Sequence, residues 1–153
     1  MKIVRYAATA ILVIGVHATQ AMTEASVMQA LKNQETILKA TYDADYSLSN
    51  FHKVERIAQQ VYEIAAQFIN NNIKGAPFEQ KTSYESFSTN IARNPLEKVI
   101  WGRPDDLEYG LSEIIYKVPE NKRQEVENVL REARRIFDKC HTILFSTWYM
   151  QAF

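Results

Sequence analysis

Hydrophobic side chains return every three or four positions along almost the whole chain after residue 21. An α-helix turns by about 100° per residue, so this spacing gathers the hydrophobic side chains on one face of a helix. No segment shows the sustained alternation of hydrophobic and polar residues that is typical of a half-buried strand. The sequence therefore predicts an all-α fold.

Three segments predict long helices. The second of them begins near Ser49 and stops before Gly75 and Pro77, which are residues that end helices. The third begins near Glu120 and is the longest. The first helix carries the narrow apolar stripe Val27, Leu31, Leu38 and Tyr42. The third carries the stripe Val126, Val129, Leu130, Ala133, Ile136, Phe137, Cys140, Leu144 and Trp148.

The middle of the chain predicts two or three short helices. Thr82 and Glu85 form a capping-box pattern, in which each side chain bonds the free amide of the other residue. The segment 94–97 is a second pattern typical of a helix start, with a proline at the first helical position. It predicts a helix through Trp101. A further stripe runs from Leu107 and ends at Pro119. We therefore expect one antiparallel helical bundle over residues 22–153, with three long helices plus two or three short ones.

Residues 1–21 have the layout of a secretory signal peptide. A basic start with Lys2 and Arg5 precedes an uncharged apolar run over 7–16 and a small-residue end at 18–21. The apolar run has about ten residues, whereas a membrane-spanning helix needs about 20. We expect the leader to be cleaved, with no transmembrane segment afterwards. The protein is then exported: periplasmic if bacterial, otherwise secreted.

The charge balance argues against nucleic-acid binding, and the cysteine content excludes an intramolecular disulfide. The chain has 18 basic and 18 acidic residues, so it carries no excess of positive charge for nucleic acid. The charged outer face of the last helix predicts solvated ion pairs. Its members are Arg131, Arg134, Arg135, Glu125, Glu127 and Glu132. Cys140 is the single cysteine, so no intramolecular disulfide can form and packing must stabilise the fold.

The sequence offers no recognisable catalytic or metal-binding pattern. It has no Gly-x-Ser-x-Gly elbow, no phosphate-binding glycine loop and no His-Glu-x-x-His motif. After the leader only His52 and His141 are available as imidazole ligands, so no metal site is predicted. An enzyme remains open only in the form of a site assembled from scattered Tyr, Glu and Arg side chains.

Cys140 and His141 are adjacent on the last predicted helix. This pair resembles a fragment of the haem-attachment signature near the C-terminus of the four-helix cytochromes of the c′ type. Phe137 stands where the first cysteine of Cys-x-x-Cys-His would be. The resemblance implies a haem, with His141 as the cofactor-binding residue. The alternative is that Cys140 is a small buried core residue and that no cofactor is bound.

Apolar and aromatic residues occupy all sides of the predicted helix from Ile143 to Phe153. Two interpretations stay open: a neighbouring helix covers the second side, which is the favoured case, or the tip is an exposed patch that binds another copy, a partner protein or a lipid surface. The candidate partner-binding residues are Phe145, Trp148, Tyr149 and Phe153.

These observations favour an exported, non-catalytic helical module that binds a protein partner or associates with itself. Chaperones, inhibitors and immunity-type proteins are of this class. The alternative is a bundle of cytochrome-like architecture that binds haem or another small ligand.

Overall fold

The structure, a computed structural model, describes residues 22–44, 48–78 and 94–151. The side chains of residues 43–44, 48–49 and 146–151 fall outside that description. The predicted leader, the predicted helix start at Thr82 and Glu85, and Phe153 lie outside the described residues. So do the side chains of Trp148 and Tyr149.

Five α-helices account for most of the described chain. They are α1 (Glu24–Ala44), α2 (Leu48–Asn70), α3 (Pro95–Ile100), α4 (Pro104–Tyr116) and α5 (Arg123–Gln151), with a 3₁₀ turn at Glu120–Lys122 before α5. No strand occurs in these residues. The prediction of an all-α fold with three long helices and additional short ones is confirmed.

The helix ends follow from local side-chain chemistry. Asn94 caps α3: its Oδ1 accepts from the Glu97 amide at 2.9 Å, and its Nδ2 donates to the Glu97 carboxylate at 2.9 Å. At the end of α2, Asn70 accepts from the Phe78 amide at 2.8 Å and donates to the Phe78 carbonyl at 3.1 Å. Gly75, with φ of 91°, provides the left-handed residue in the intervening turn.

The helices α3 and α4 form a tight hairpin. Pro104 is the first residue of α4, and so it begins the next helix as well as following the end of α3. The two helices cross at Gly110, where an added Cβ would lie 2.8 Å from the Pro95 carbonyl oxygen. Only glycine allows this approach, so the hairpin packs as one unit against α5.

The core lies between the three long helices and beneath the hairpin. Every described side chain of the stripe predicted for α5 is at most 3% exposed. The stripe of α1 is only partly apolar, because Gln34 lies on it and is 1% exposed, whereas Tyr42 is 43% exposed. Tyr42 lies on the predicted stripe but is covered only in part. This difference arises because α1 is covered less completely near its C-terminal end.

The polar contacts between helices give their directions. Glu24 of α1 accepts from Asn128 of α5, and Glu35 further along α1 accepts from Arg135 further along α5, so the two helices run parallel. The Asn71 amide nitrogen, just after α2, lies 3.8 Å from the Met22 sulfur, just before α1. The helix α2 is thus antiparallel to both of the others. Successive long helices therefore alternate in direction, as the bundle prediction requires.

Candidate binding cleft between α1 and α5

An open cleft of about 940 Å³ lies between the C-terminal half of α1 and the facing part of α5. Its volume is at the upper end of the range for ligand pockets, roughly 300–1,000 Å³. The parallel course of α1 and α5 places the two walls side by side. The lining residues are Lys32, Glu35, Thr36, Leu38, Lys39, Tyr42, Asp138, Lys139, Thr142 and Ile143.

Ion pairs centred on Glu35 join the two walls of the cleft. Its two carboxylate oxygens accept from the two terminal nitrogens of Arg135 at 2.6 and 2.9 Å. Lys139 donates to the same carboxylate at 2.8 Å. Arg135 also pairs with Glu132 at 2.6 Å within α5. These bonds fix the spacing of α1 and α5 at this level.

The same contacts shift the ionisation of both partners. The hydrogen bonds from Arg135 and then from Lys139 lower the pKa of Glu35 from 4.5 to about 2. The hydrogen bond to Glu132, followed by that to Glu35, raises the pKa of Arg135 above its ordinary value. The Glu35 carboxylate is therefore ionised at neutral pH.

The floor of the cleft is apolar. Leu38 of α1 is 3% exposed, and Ile143 of α5 is half-buried and packs against the core. Tyr42, which is 43% exposed, forms the wall one turn beyond Leu38. Most of the lining surface is carbon. A guest that fills this cleft would bury apolar groups on the floor while polar groups remain along the rim.

The rim carries positive charge that the described residues do not neutralise. Asp138 accepts from Arg134 at 2.9 Å, and Arg134 also donates to the Val99 carbonyl at 3.1 Å. Lys32 and Lys39 are exposed, and no carboxylate of the described residues pairs with either. The remaining unpaired charge on the cleft is thus positive.

Phe145 continues this surface along α5. It is 59% exposed, although its neighbour Leu144 is only 3% exposed. On an α-helix, residues three and seven positions apart share a face, so Phe145 lies on the same face of α5 as Thr142 and Asp138, which line the cleft, although Phe145 does not line it itself. Phe145 is the one candidate partner-binding residue whose side chain is described, and its role in binding a partner stays a prediction.

Cys140 and His141 lie in different environments. The Cys140 side chain is fully buried, and burial raises the pKa of its thiol from 9.0 to about 12. This agrees with the interpretation of Cys140 as a core residue. His141 is exposed and does not line the cleft. Haem binding at His141 stays a prediction, and the geometry adds no support for it.

A second aromatic surface, on α4, was missed by the sequence analysis. Tyr109 and Tyr116 are 64% and 86% exposed, and they lie seven positions apart on the face opposite the stripe of that helix. Lys98 lies 4.8 Å from the Tyr109 ring centre and pairs with Glu113 at 3.3 Å. The charges of Lys98 and Glu113 beside Tyr109 are therefore paired with each other, unlike those of Lys32 and Lys39 on the cleft rim.

The described ranges offer neither a cluster of metal ligands nor a membrane-spanning helix. Residues 22–44, 48–78 and 94–151 contain no group of three or more His, Cys, Asp or Glu side chains placed to share a metal ion. His52 instead bonds Glu55 at 2.9 Å. Over the same ranges, no helix combines the length and apolar character needed to cross a bilayer.

No protein-family model, curated protein or solved structure matches this chain. The function must therefore be inferred from the geometry of the cleft and its surroundings. The cleft leaves no local pattern in the sequence, because Glu35 and Arg135 are 100 positions apart and only the fold brings them together.

Proposed function

We propose that this chain is an exported, non-catalytic helical module that binds a protein partner through the cleft between α1 and α5. The observation that carries the proposal is the combination of an apolar floor, a charged rim and an adjoining exposed phenylalanine. Protein interfaces have this anatomy, with an apolar centre inside a polar border. The proposed class includes chaperones, inhibitors and immunity-type proteins.

The openness of the cleft favours a macromolecular guest over a small one. Pockets for small molecules usually enclose about 70–90% of the ligand surface. This cleft lies open along one side, so a small ligand would leave much of its surface in water. A protein partner would cover the open side itself, and it would also reach Phe145 at the edge.

The exposed aromatic residues support the same conclusion. Tyr42 and Phe145 expose 43% and 59% of their surfaces, so both retain apolar area that a partner can cover. Aromatic side chains are enriched among the residues that contribute most to binding. The two side chains stand on the two helices that form the cleft, so a single partner can contact both.

A matched pair of double variants tests this proposal. Tyr42→Ala with Phe145→Ala removes the aromatic groups at the cleft. Tyr109→Ala with Tyr116→Ala removes two exposed tyrosines from α4 and serves as the control. Tagged forms of the full chain would be expressed in the native cells, and the co-purified proteins would be quantified by mass spectrometry.

The cleft variant is expected to retain at most about one-tenth of a specific partner, because loss of two aromatic contacts costs on the order of 1–2 kcal/mol each. The control variant is expected to retain that partner at the level of the unmodified chain. Equal retention by both variants, or equal loss from both, would contradict the proposal. Helical circular dichroism of each variant checks that the fold is unchanged.

A further inference from the structure

Lys32 and Lys39 form a regularly spaced basic edge on the cleft. They are seven residues apart on α1, which is about 10 Å along the helix axis and about two turns. Both side chains therefore project from nearly the same flank, and both line the cleft. Neither has a carboxylate partner among the described residues.

The carboxylates of the cleft are already engaged. Glu35 is held by Arg135 and Lys139, and Asp138 is held by Arg134. The contacts within the chain thus leave the positive edge on α1 as the charge available to a guest. Complementary charge across an interface determines which partners bind and in which register.

The dimensions fit a guest helix. From Lys32 to Tyr42 the cleft extends about 15 Å along α1, which corresponds to about three turns of an α-helix. The walls are two parallel helices, and a third helix can lie in the groove between them at the usual separation of about 8–10 Å. Helices that bind in such grooves use apolar residues at positions i, i+3, i+4 and i+7.

We propose that the guest in the α1/α5 cleft is an acidic amphipathic α-helix of the partner protein. Its apolar face covers the exposed parts of Tyr42 and Ile143, above the buried Leu38, and two of its carboxylates, about seven residues apart, pair with Lys32 and Lys39. This inference depends on the proposed function, because it names the chemistry of the partner at the same cleft. A single alkyl chain fits less well, since the open side of the cleft would leave it in contact with water.

The experiment uses two fluorescent helical peptides of about 14 residues with the full chain. Both carry leucines at i, i+3, i+4 and i+7. The first has glutamates seven residues apart on the flank, and the second has lysines at those positions. Affinity is measured by fluorescence anisotropy at low and at physiological salt. The charge-reversal variant is Lys32→Glu with Lys39→Glu, and the control is Lys53→Glu with Arg56→Glu on the exposed side of α2.

The unmodified chain and the α2 control are expected to bind the glutamate peptide at least about tenfold more tightly than the lysine peptide at low salt. The preference should fall as salt screens the charges, and it should reverse in the Lys32→Glu, Lys39→Glu variant. Competition by unlabelled glutamate peptide, but not by laurate, is expected.

Equal affinity for the two peptides, an unchanged preference in the charge-reversal variant, or displacement by laurate would overturn the acidic-helix inference. The inference would also be overturned if the unmodified chain bound neither peptide but dimerised with rising concentration, and the charge reversal abolished that dimer. The guest would then be a second copy of the chain. If one of these results is found but the Tyr42→Ala, Phe145→Ala variant still loses its partner, the acidic-helix inference fails and the proposed function is retained. Full partner retention in that variant refutes the function itself.

Discussion

The two sides of α5 are held by different forces. The side that faces the core carries a stripe of residues from Val126 to Leu144 that are at most 3% exposed. On the side that faces α1, the buried Val27, Leu31 and Leu38 of α1 join the same core, and the solvent edge is held at Glu24 and Glu35 by hydrogen bonds and ion pairs whose side chains are partly exposed. The cleft opens only on this second side.

The difference indicates where stability and recognition reside. Burial of apolar side chains contributes about 25 cal/mol per Å², whereas exposed ion pairs contribute about 0–1 kcal/mol each. The core side of α5 can therefore hold the fold, while the α1 side remains open enough to accept a guest. Substitutions on the two sides of α5 and in α1 test this division.

The largest expected effect is on the core side. Phe137→Ala removes a ring that is 1% exposed and should lower the free energy of unfolding by about 3–5 kcal/mol, because it leaves a cavity. Urea denaturation followed by circular dichroism measures the change. Phe145→Ala, at a residue that is 59% exposed, is the matched control and should cost less than about 1 kcal/mol. Similar losses for the two variants would remove the distinction between the sides.

An intermediate effect is expected in the stripe of α1. The Gln34 side chain is 1% exposed, and its carbonyl oxygen has no hydrogen-bond partner within the described part of the chain. Gln34→Leu should raise the free energy of unfolding by about 1–2 kcal/mol, because a buried polar group without a partner is costly. Gln34→Glu should lower it. If Gln34→Leu instead lowers the free energy of unfolding, the Gln34 amide must stabilise the packing of α1 against its neighbours.

The smallest expected effect concerns the ion pairs that Glu35 makes between α1 and α5. The partners of Glu35 are about half exposed, at 45% for Arg135 and 53% for Lys139, so solvent weakens the pairs. Glu35→Gln should therefore lower the free energy of unfolding at pH 7 by only about 1 kcal/mol.

The pH dependence of that substitution gives an independent check. The pKa of Glu35 is about 2 in the folded chain and 4.5 ordinarily, so its contribution is complete above about pH 4.5 and disappears as the pH falls towards 2. Denaturation curves of both forms between pH 6 and 2 should converge at the acidic end. A constant difference over that range would show that Glu35 acts by packing rather than by charge.

The sequence predicted the fold more fully than the cleft. Local rules suffice for the stripe of α5 and for the cap at Asn94, because both depend on residues within one or two helical turns. The burial of Gln34 and the exposure of Tyr42 depend on which helix lies alongside α1, and spacing in a single helix does not contain that information. The exposure of Phe145 was one of two open alternatives, since a helix hydrophobic on all sides can be either wrapped or left uncovered.

The parallel course of α1 and α5 also makes the cleft directional. Each helix has a partial negative charge of about half a unit at its C-terminus, and α1 ends at Ala44, just beyond Tyr42. A guest that lies antiparallel brings its own N-terminal amides, which carry partial positive charge, towards that end. The reverse orientation would bring two negative ends together. The N-terminus of α2 begins at Leu48 at the same end of the bundle and carries the opposite partial charge, so the peptide backbone biases the polarity of an incoming helix only weakly.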